Sequence, residues 1–340
     1  MSDKQTTECP LCLSNAHLIK DDLFGYQEPS KFNVFICPDC DTSFYTPQSH
    51  QIERIYEIIY DNAEKIPGYD RYCKYAEEVK IQKRPLEYLS NMEETYWAVC
   101  ESLKSIVYDR QSVTVLEIGS GLGYLTFALN RAGYNTMGID ASRAAVAQAN
   151  SRYGNYFIYA DIYEYSLDKS SLYDVIILTE VIEHIVEPER FLNALSKLLK
   201  PGGHIILTTP NKSFFPDDVI WFTDLPPVHC WWFSEKSIQF LASKLNLKTE
   251  FISFKNFYKK HPKQYDLNEL RGPQLLHPVL DKDGKIIAKN SVKQPHLIKK
   301  IILQLPFARL INCKIKELIK PDIITCSDRG TVICAVMKNL

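Results

Sequence analysis

The sequence predicts an α/β chain: a doubly wound, mostly parallel seven-stranded sheet with helices on both faces, preceded by a small four-cysteine unit. Three observations carry this. From residue 113 onward, short apolar runs alternate with stretches of helical period. One of these runs ends in a glycine-rich bend, "LEIGSGLG" at 116–123. Ahead of them, Cys9, Cys12, Cys37 and Cys40 make two C-x-x-C pairs.

Residues 1–48 read as a unit of their own, with the strand-like "KFNVFI" held between the cysteine pairs. Residues 49–111 read as a helical cap, because apolar positions in "IERIYEIIY", "KYAEEVKIQKRPLEYL" and "NMEETYWAVCESLKSI" recur at three and four residues. The main unit spans 112–340. Its strand candidates are "VTVLEIG", "YNTMGID", "YFIYADI", "YDVIILTE", "HIILTTP", "KTEFISF" and "GTVICAVMK". Helices are expected at "YLTFALNRAG", "SRAAVAQANSRYG", "EPERFLNALSKLLKPGG" (with a glycine stop) and "SEKSIQFLASKLN". About 258–325 is an insertion of weak pattern.

The bulk numbers weigh against some functions. Lys+Arg total 40 and Asp+Glu 41, a net charge of -1, so the chain lacks the basic surplus of a protein that works by neutralising phosphates. The opening "MSDKQTTECP" has no apolar signal region, and no run of 18 apolar residues exists, which leads us to expect a cytoplasmic protein. In that setting paired cysteines point to metal rather than disulfides.

The bend at Gly119, Gly121 and Gly123 is not a dinucleotide fingerprint, since Tyr124 stands where the third glycine of G-x-G-x-x-G belongs. It is no P-loop either, for G-K-[ST] is missing. Glycines here let strand turn sharply into helix and let backbone approach a ligand. Glu117 reaches the same edge, Asp140 ends the next strand where a carboxylate takes ribose hydroxyls, and Asp161 ends the third.

The ordered set "LEIGSGLG", "GID", "ADI", "YDVIILTEVIEH" and "LLKPGG" resembles the class I S-adenosylmethionine-dependent methyltransferases over about 113–257, some 40% of the chain. The resemblance implies a Rossmann-like fold and S-adenosylmethionine as cofactor. It places Glu117, Gly119, Gly121, Gly123, Asp140, Asp161, Ile162 and Thr179 around that cofactor: Glu117 toward the methionine amine, Asp140 on the ribose, Asp161 with Ile162 framing the adenine.

"TEVIEHI" follows the fourth strand, where the family's acceptor edge lies. Glu180, Glu183 and His184 share one face if this segment is helical, and His229 in "DLPPVHCWWF" closes over the same edge. Three readings stay open. E-x-x-E-H with a later histidine is similar to metal-dependent small-RNA 3′-end 2′-O-methyltransferases and to ubiquinone-pathway O-methyltransferases, which implies a divalent ion at Glu180, Glu183, His184 and His229. Alternatively His184 or His229, with Glu180, works as catalytic base without metal. In the third reading the two glutamates merely cap a helix.

The cysteine pairs, 24 residues apart, look like a zinc ribbon, a closed tetrahedral thiolate site of structural use. Similar modules precede the core in sugar C-methyltransferases and some rRNA methyltransferases. Trp231 and Trp232 offer flat faces to a sugar ring or serve as core. The preferred acceptor is therefore a sugar-like small molecule, a hydroxyl or carbon of a glycan precursor. The rivals are metal-dependent RNA 2′-O-methylation and a non-catalytic cofactor-binding subunit. "HLIKKIILQLPFARLINCKIKELIK" carries Lys299, Lys300, Arg309, Lys314, Lys316 and Lys320, a basic amphipathic surface suited to membrane contact or to a lid or dimer helix.

Overall fold

The computed structural model describes residues 5–47, 53–66, 68–220, 224–271, 277–287 and 322–339. The chain opens with antiparallel strands β1 (Thr6–Glu8), β2 (Asn15–Phe24), β3 (Lys31–Ile36) and β4 (Ser43–Thr46). The cysteine pairs occupy the turns between β1 and β2 and between β3 and β4, so folding the meander brings them together.

Helices α1 (Glu53–Asp61), α2 (Asp70–Ile81), α3 (Pro85–Met92) and α4 (Glu94–Ile106) follow. The expected continuous helix over 74–89 is broken, because Pro85 lacks an N–H and its fixed φ suits the first position of a new helix.

The main sheet takes strands β5 (Thr114–Ile118), β6 (Asn135–Asp140), β7 (Phe157–Tyr159), β8 (Tyr173–Thr179) and β9 (Leu199–Pro210), separated by α5 (Tyr124–Arg131), α6 (Arg143–Tyr153), α7 (Ile162–Tyr165) and α8 (Pro188–Leu198). Further on lie β10 (Trp231–Trp232), α9 (Glu235–Lys244), β11 (Leu247–Phe251), α10 (Lys255–Lys260), β12 (Gln264–Asp266), α11 (Leu267–Leu270), β13 (Ile323–Thr325) and β14 (Val332–Asn339). The seven-stranded sheet runs β11-β14-β9-β8-β5-β6-β7. β5 to β9 are parallel, while β14 and β11 join antiparallel at the edge.

Alternation along the strands fills two separate cores, as a period of two requires. Leu116, Ile118, Ile176 and Leu178 pack toward α8 and α9, with Leu192 and Leu241. Val115, Val175, Ile177 and Ile206 pack on the other face, with Val99, Leu103 and Leu129 of α4 and α5. Helices therefore cover both faces. Strand order reverses between β5 and β8, and that switch point opens a crevice at the carboxyl ends.

Two further features depart from the expectation. The stretch "LKPGG" is already strand rather than a helix end, since Pro201 cannot continue α8 and Leu199 pairs with Tyr173. In addition, Trp231–Trp232 adds a fifth strand to the N-terminal sheet, antiparallel to β4. Of the expected insertion, β12 pairs with β13, and Val279 and Leu280 donate backbone hydrogen bonds to Tyr26 O. The basic segment from Lys299 to Lys320, with the membrane contact expected of it, lies outside the described residues. No described helix is long and apolar enough to cross a membrane.

Gly123 shows why the bend needs glycine. Its φ is +81°, and an added Cβ would lie 2.6 Å from Phe157 and 2.8 Å from Ala149. Gly123→Ala is expected to cost about 2–5 kcal/mol of stability, the sum of left-handed strain and overpacking. Gly133→Ala, equally left-handed at φ +95° but with open space around it, should cost less. Urea midpoints of the two variants check the difference.

Candidate active site

The crevice is a cleft of about 1470 Å³. At one end, the Gly119–Ser120–Gly121 turn is held by Gly119 N and Ser120 N donating to Ile139 O. Asp140, 6% exposed, accepts from Gly121 N at 2.7 Å and from Ser142 N at 2.8 Å, one bond on each oxygen. A carboxylate has about four acceptor positions, so two remain for a ligand. Burial pushes the Asp140 carboxyl up, against the pull of those two N–H groups.

Glu117 lies beside it, buried, with Thr126 Oγ1 donating to Oε2. Burial raises its carboxyl to about 8. Ile162, Thr179 and Asp161 also line the cleft. Asp161 caps α7, with Oδ1 accepting from Tyr163 N at 2.7 Å and Glu164 N at 3.1 Å. Gly123 is not on the wall; its place is the packing against Phe157.

The other end holds the acidic and imidazole groups. Their segment is not a helix: only a 3-10 turn forms, Ile182–His184, after Glu180 takes a left-handed φ of +55°. That twist separates Glu180 from the others. Its Oε1 accepts from Thr208 Oγ1 at 3.0 Å, and burial raises the carboxyl to about 7.

Glu183, 1% exposed, accepts from Thr209 Oγ1 at 2.9 Å through Oε2, while Oε1 is buried and has no hydrogen-bond partner among the described residues. Burial, with Glu180 nearby, holds its carboxyl well above the usual range. His184 Nδ1 donates to Val228 O at 2.7 Å, which leaves Nε2 as a lone pair 3.8 Å from Glu183 Oε1. The His229 ring stands 4.5 Å from that of His184, nearly perpendicular, and its buried Nδ1 has no hydrogen-bond partner among the described residues. Burial holds both imidazoles neutral, down to about 3.

One ligand atom each from Glu183, His184 and His229 lies within 4.8 Å of the others. Glu183 Oε1 and His229 Nδ1 are buried polar atoms without a hydrogen-bond partner among the described residues, with Asp224 Oδ1 3.9 Å from that Nδ1, and a cation among these groups would offset the cost of burying them. A carboxylate and two neutral imidazoles suit a divalent ion. Of the four residues named from sequence, Glu180 is the one whose ligand atom is not in this group. Cys9, Cys12, Cys37 and Cys40 form a second cluster, with Cys9 and Cys40 sulfurs 3.7 Å apart and Cys12 and Cys37 3.3 Å apart. A tetrahedral zinc with Zn–S of about 2.3 Å sets sulfurs about 3.8 Å apart, so the donors fit.

From sequence, Tyr69, Tyr72 and Tyr75 are expected to cap the cofactor or to pack between helices; Tyr56 and Tyr60 escaped that reading. α1 turns Tyr56 and Tyr60 toward the cleft: Tyr56 Oη donates to Val228 O at 3.3 Å, and Tyr60 Oη lies 4.0 Å from where a Gly121 Cβ would be. Their i, i+4 spacing on an amphipathic helix was the available signal. Tyr69 and Tyr72 also line the cleft, but Tyr75 packs behind it, donating to Glu93 at 2.7 Å. The tryptophans divide: Trp231 is core, 6.0 Å from Phe44, and Trp232 lines the cleft.

Residues 88–250 match the family model described as a methyltransferase domain. Similar curated proteins include the mitochondrial ubiquinone biosynthesis O-methyltransferase of Dictyostelium discoideum, 31% identical over 31% of this chain and 37% of that protein. The ubiquinone biosynthesis O-methyltransferase of Rickettsia prowazekii is 36% identical over 34% of this chain and 47% of that protein. The match thus spans less than half the length of either relative. A solved SAM-dependent methyltransferase from Archaeoglobus fulgidus shares 16% identity, covering 71% of this chain and 92% of that one at a TM-score of 0.43.

Proposed function

We propose that this chain, whose residues 88–250 match the methyltransferase-domain model, is a class I S-adenosylmethionine-dependent methyltransferase that methylates a hydroxyl oxygen of a small molecule with divalent-metal assistance. The observation that carries this is one continuous cleft joining the Gly119–Asp140 end to the Glu183–His184–His229 cluster. O-methyl transfer is the activity in the printed names of the relatives. Those names lend no support to the sugar acceptor, the RNA acceptor or the non-catalytic role.

Asp140 would hold the ribose, Glu117 the cationic amine, and Ile162 with Asp161 the adenine. Bound there, S-adenosylmethionine supplies an electrophilic methyl on a sulfonium. An ion on Glu183, His184 and His229 would polarise the acceptor hydroxyl. Glu180, outside that set and with its carboxyl at about 7, suits removal of the hydroxyl proton near neutral pH. Glu180 is not among the three residues whose ligand atoms meet, so proton acceptor and metal ligands would be separate groups. The aromatic wall from Tyr56, Tyr69, Tyr72 and Trp232 suits a flat ring on the acceptor. We assign the four-cysteine cluster a structural zinc.

The test is a panel of catechols, monosaccharides and short RNAs incubated with protein, S-adenosylmethionine and magnesium, read by mass spectrometry. A methyl gained by a small hydroxyl compound, and lost with a chelator, is expected. Methylation of RNA alone, or of nothing, would contradict the assignment.

A further inference from the structure

We propose that the four-cysteine sheet is the positioning frame for the acceptor half of the cleft: metal in the cysteine cluster fixes where His229 lies, and leaves the cofactor half independent. His229 sits on a short span of chain pinned to that sheet on both sides. Before it, Tyr26 N donates to Pro226 O at 2.7 Å. After it, Trp231 and Trp232 pair with Phe44 and Ser43 of β4.

The pins start at the cysteines. Cys37 N donates to Thr42 O at 2.9 Å, closing the turn that carries Cys40, Asp41 and Thr42. Asp41 O accepts from Ser234 Oγ at 3.0 Å, and its carboxylate from Lys212 Nζ at 2.8 Å. This knuckle is thus bonded to both segments that flank the acceptor end.

From the span, contacts pass inward to the ligand set. Val228 O receives the His184 Nδ1 proton, Cys230 N donates to Glu183 O at 2.7 Å, and Trp231 Nε1 donates to Ile185 O at 2.8 Å. Displacing residues 226–232 therefore moves His229 and loosens both other ligands. The cofactor end is built otherwise: the bonds that hold its turn and Asp140 come from Ile139, Gly121 and Ser142 of the core. The sheet buries Leu23, Phe35, Phe44 and Tyr45, but among the described residues its two cysteine turns are joined by the sulfurs alone, so metal decides whether those turns hold their place.

The test uses the full chain with zinc bound, the same protein stripped by a chelator, and Cys37→Ser. Hydrogen exchange is read by mass spectrometry and S-adenosylmethionine affinity by calorimetry. Stripping, and the variant, should speed exchange across 225–234 by about tenfold or more, with 114–140 unchanged and cofactor affinity within about twofold. Returned zinc should restore protection to the stripped protein. Unchanged exchange at 225–234 overturns the proposal. So does loss of protection at 114–140 or of cofactor affinity, which would make the metal a prop for the whole fold. The importance of His229 rests on the function proposed above, and the two fail separately: the exchange pattern needs no turnover, so coupling without methylation refutes only that function.

Discussion

Asp140→Ala is expected to weaken S-adenosylmethionine binding by two orders of magnitude or more. Asp140 is the carboxylate at the end of β6 with two acceptor positions open, and each ribose hydroxyl bond to a charged group contributes about 1.5–3 kcal/mol. Removing both amounts to about 3–6 kcal/mol. The variant also orphans Gly121 N, so the glycine turn loses the group that orients it. Stability of the ligand-free protein should fall much less, because deleting a buried carboxylate relieves its desolvation as it removes those bonds. Calorimetry on wild type, Asp140→Ala and Asp140→Asn checks this. The Asn variant keeps the shape and an acceptor oxygen, so it should fall between the two. Unchanged affinity in Asp140→Ala would mean the cofactor does not use this edge.

His229→Ala and Glu183→Gln should each lower turnover by about 10²–10⁴-fold with cofactor affinity nearly unchanged. Each removes one of three groups that meet within 4.8 Å, so manganese affinity should fall in parallel. Glu180→Gln should lose turnover on the same scale yet keep manganese affinity, since its carboxylate lies outside the cluster. The pH profile separates them further. A carboxyl at about 7 that accepts a proton gives a rate that rises as pH passes through 7. Glu180→Gln should lack that rising limb, and His229→Ala should keep it at lower height. A Glu180→Gln enzyme with wild-type turnover would remove the proton-acceptor role.

Much of this site was legible from local sequence. Asp140 and the glycine turn follow from strand periodicity, because a parallel strand must deliver its last residue to the carboxyl edge. Glu180 was harder. Helical spacing put it with Glu183 and His184, but φ at Glu180 is +55°, a conformation that no apolar pattern encodes. His229 was found because its loop follows the fifth strand and must close over the acceptor edge; its approach to within 4.5 Å of the His184 ring depends on long-range packing. Gly123 was read with the cofactor glycines, although Phe157, brought in by the neighbouring strand, is what excludes a side chain there. The pairing of Trp231–Trp232 with β4 was invisible for the same reason: two aromatic residues signal burial, not which sheet receives them.

The claim on which the rest depends is that cofactor and acceptor chemistry meet in one cleft. A crystal structure with S-adenosylhomocysteine and manganese addresses it directly. The account predicts the ribose on Asp140, the sulfur directed toward the other end of the cleft, and manganese on Glu183, His184 and His229. A ligand bound elsewhere, or manganese absent from those three side chains while the nucleoside is in place, would contradict it.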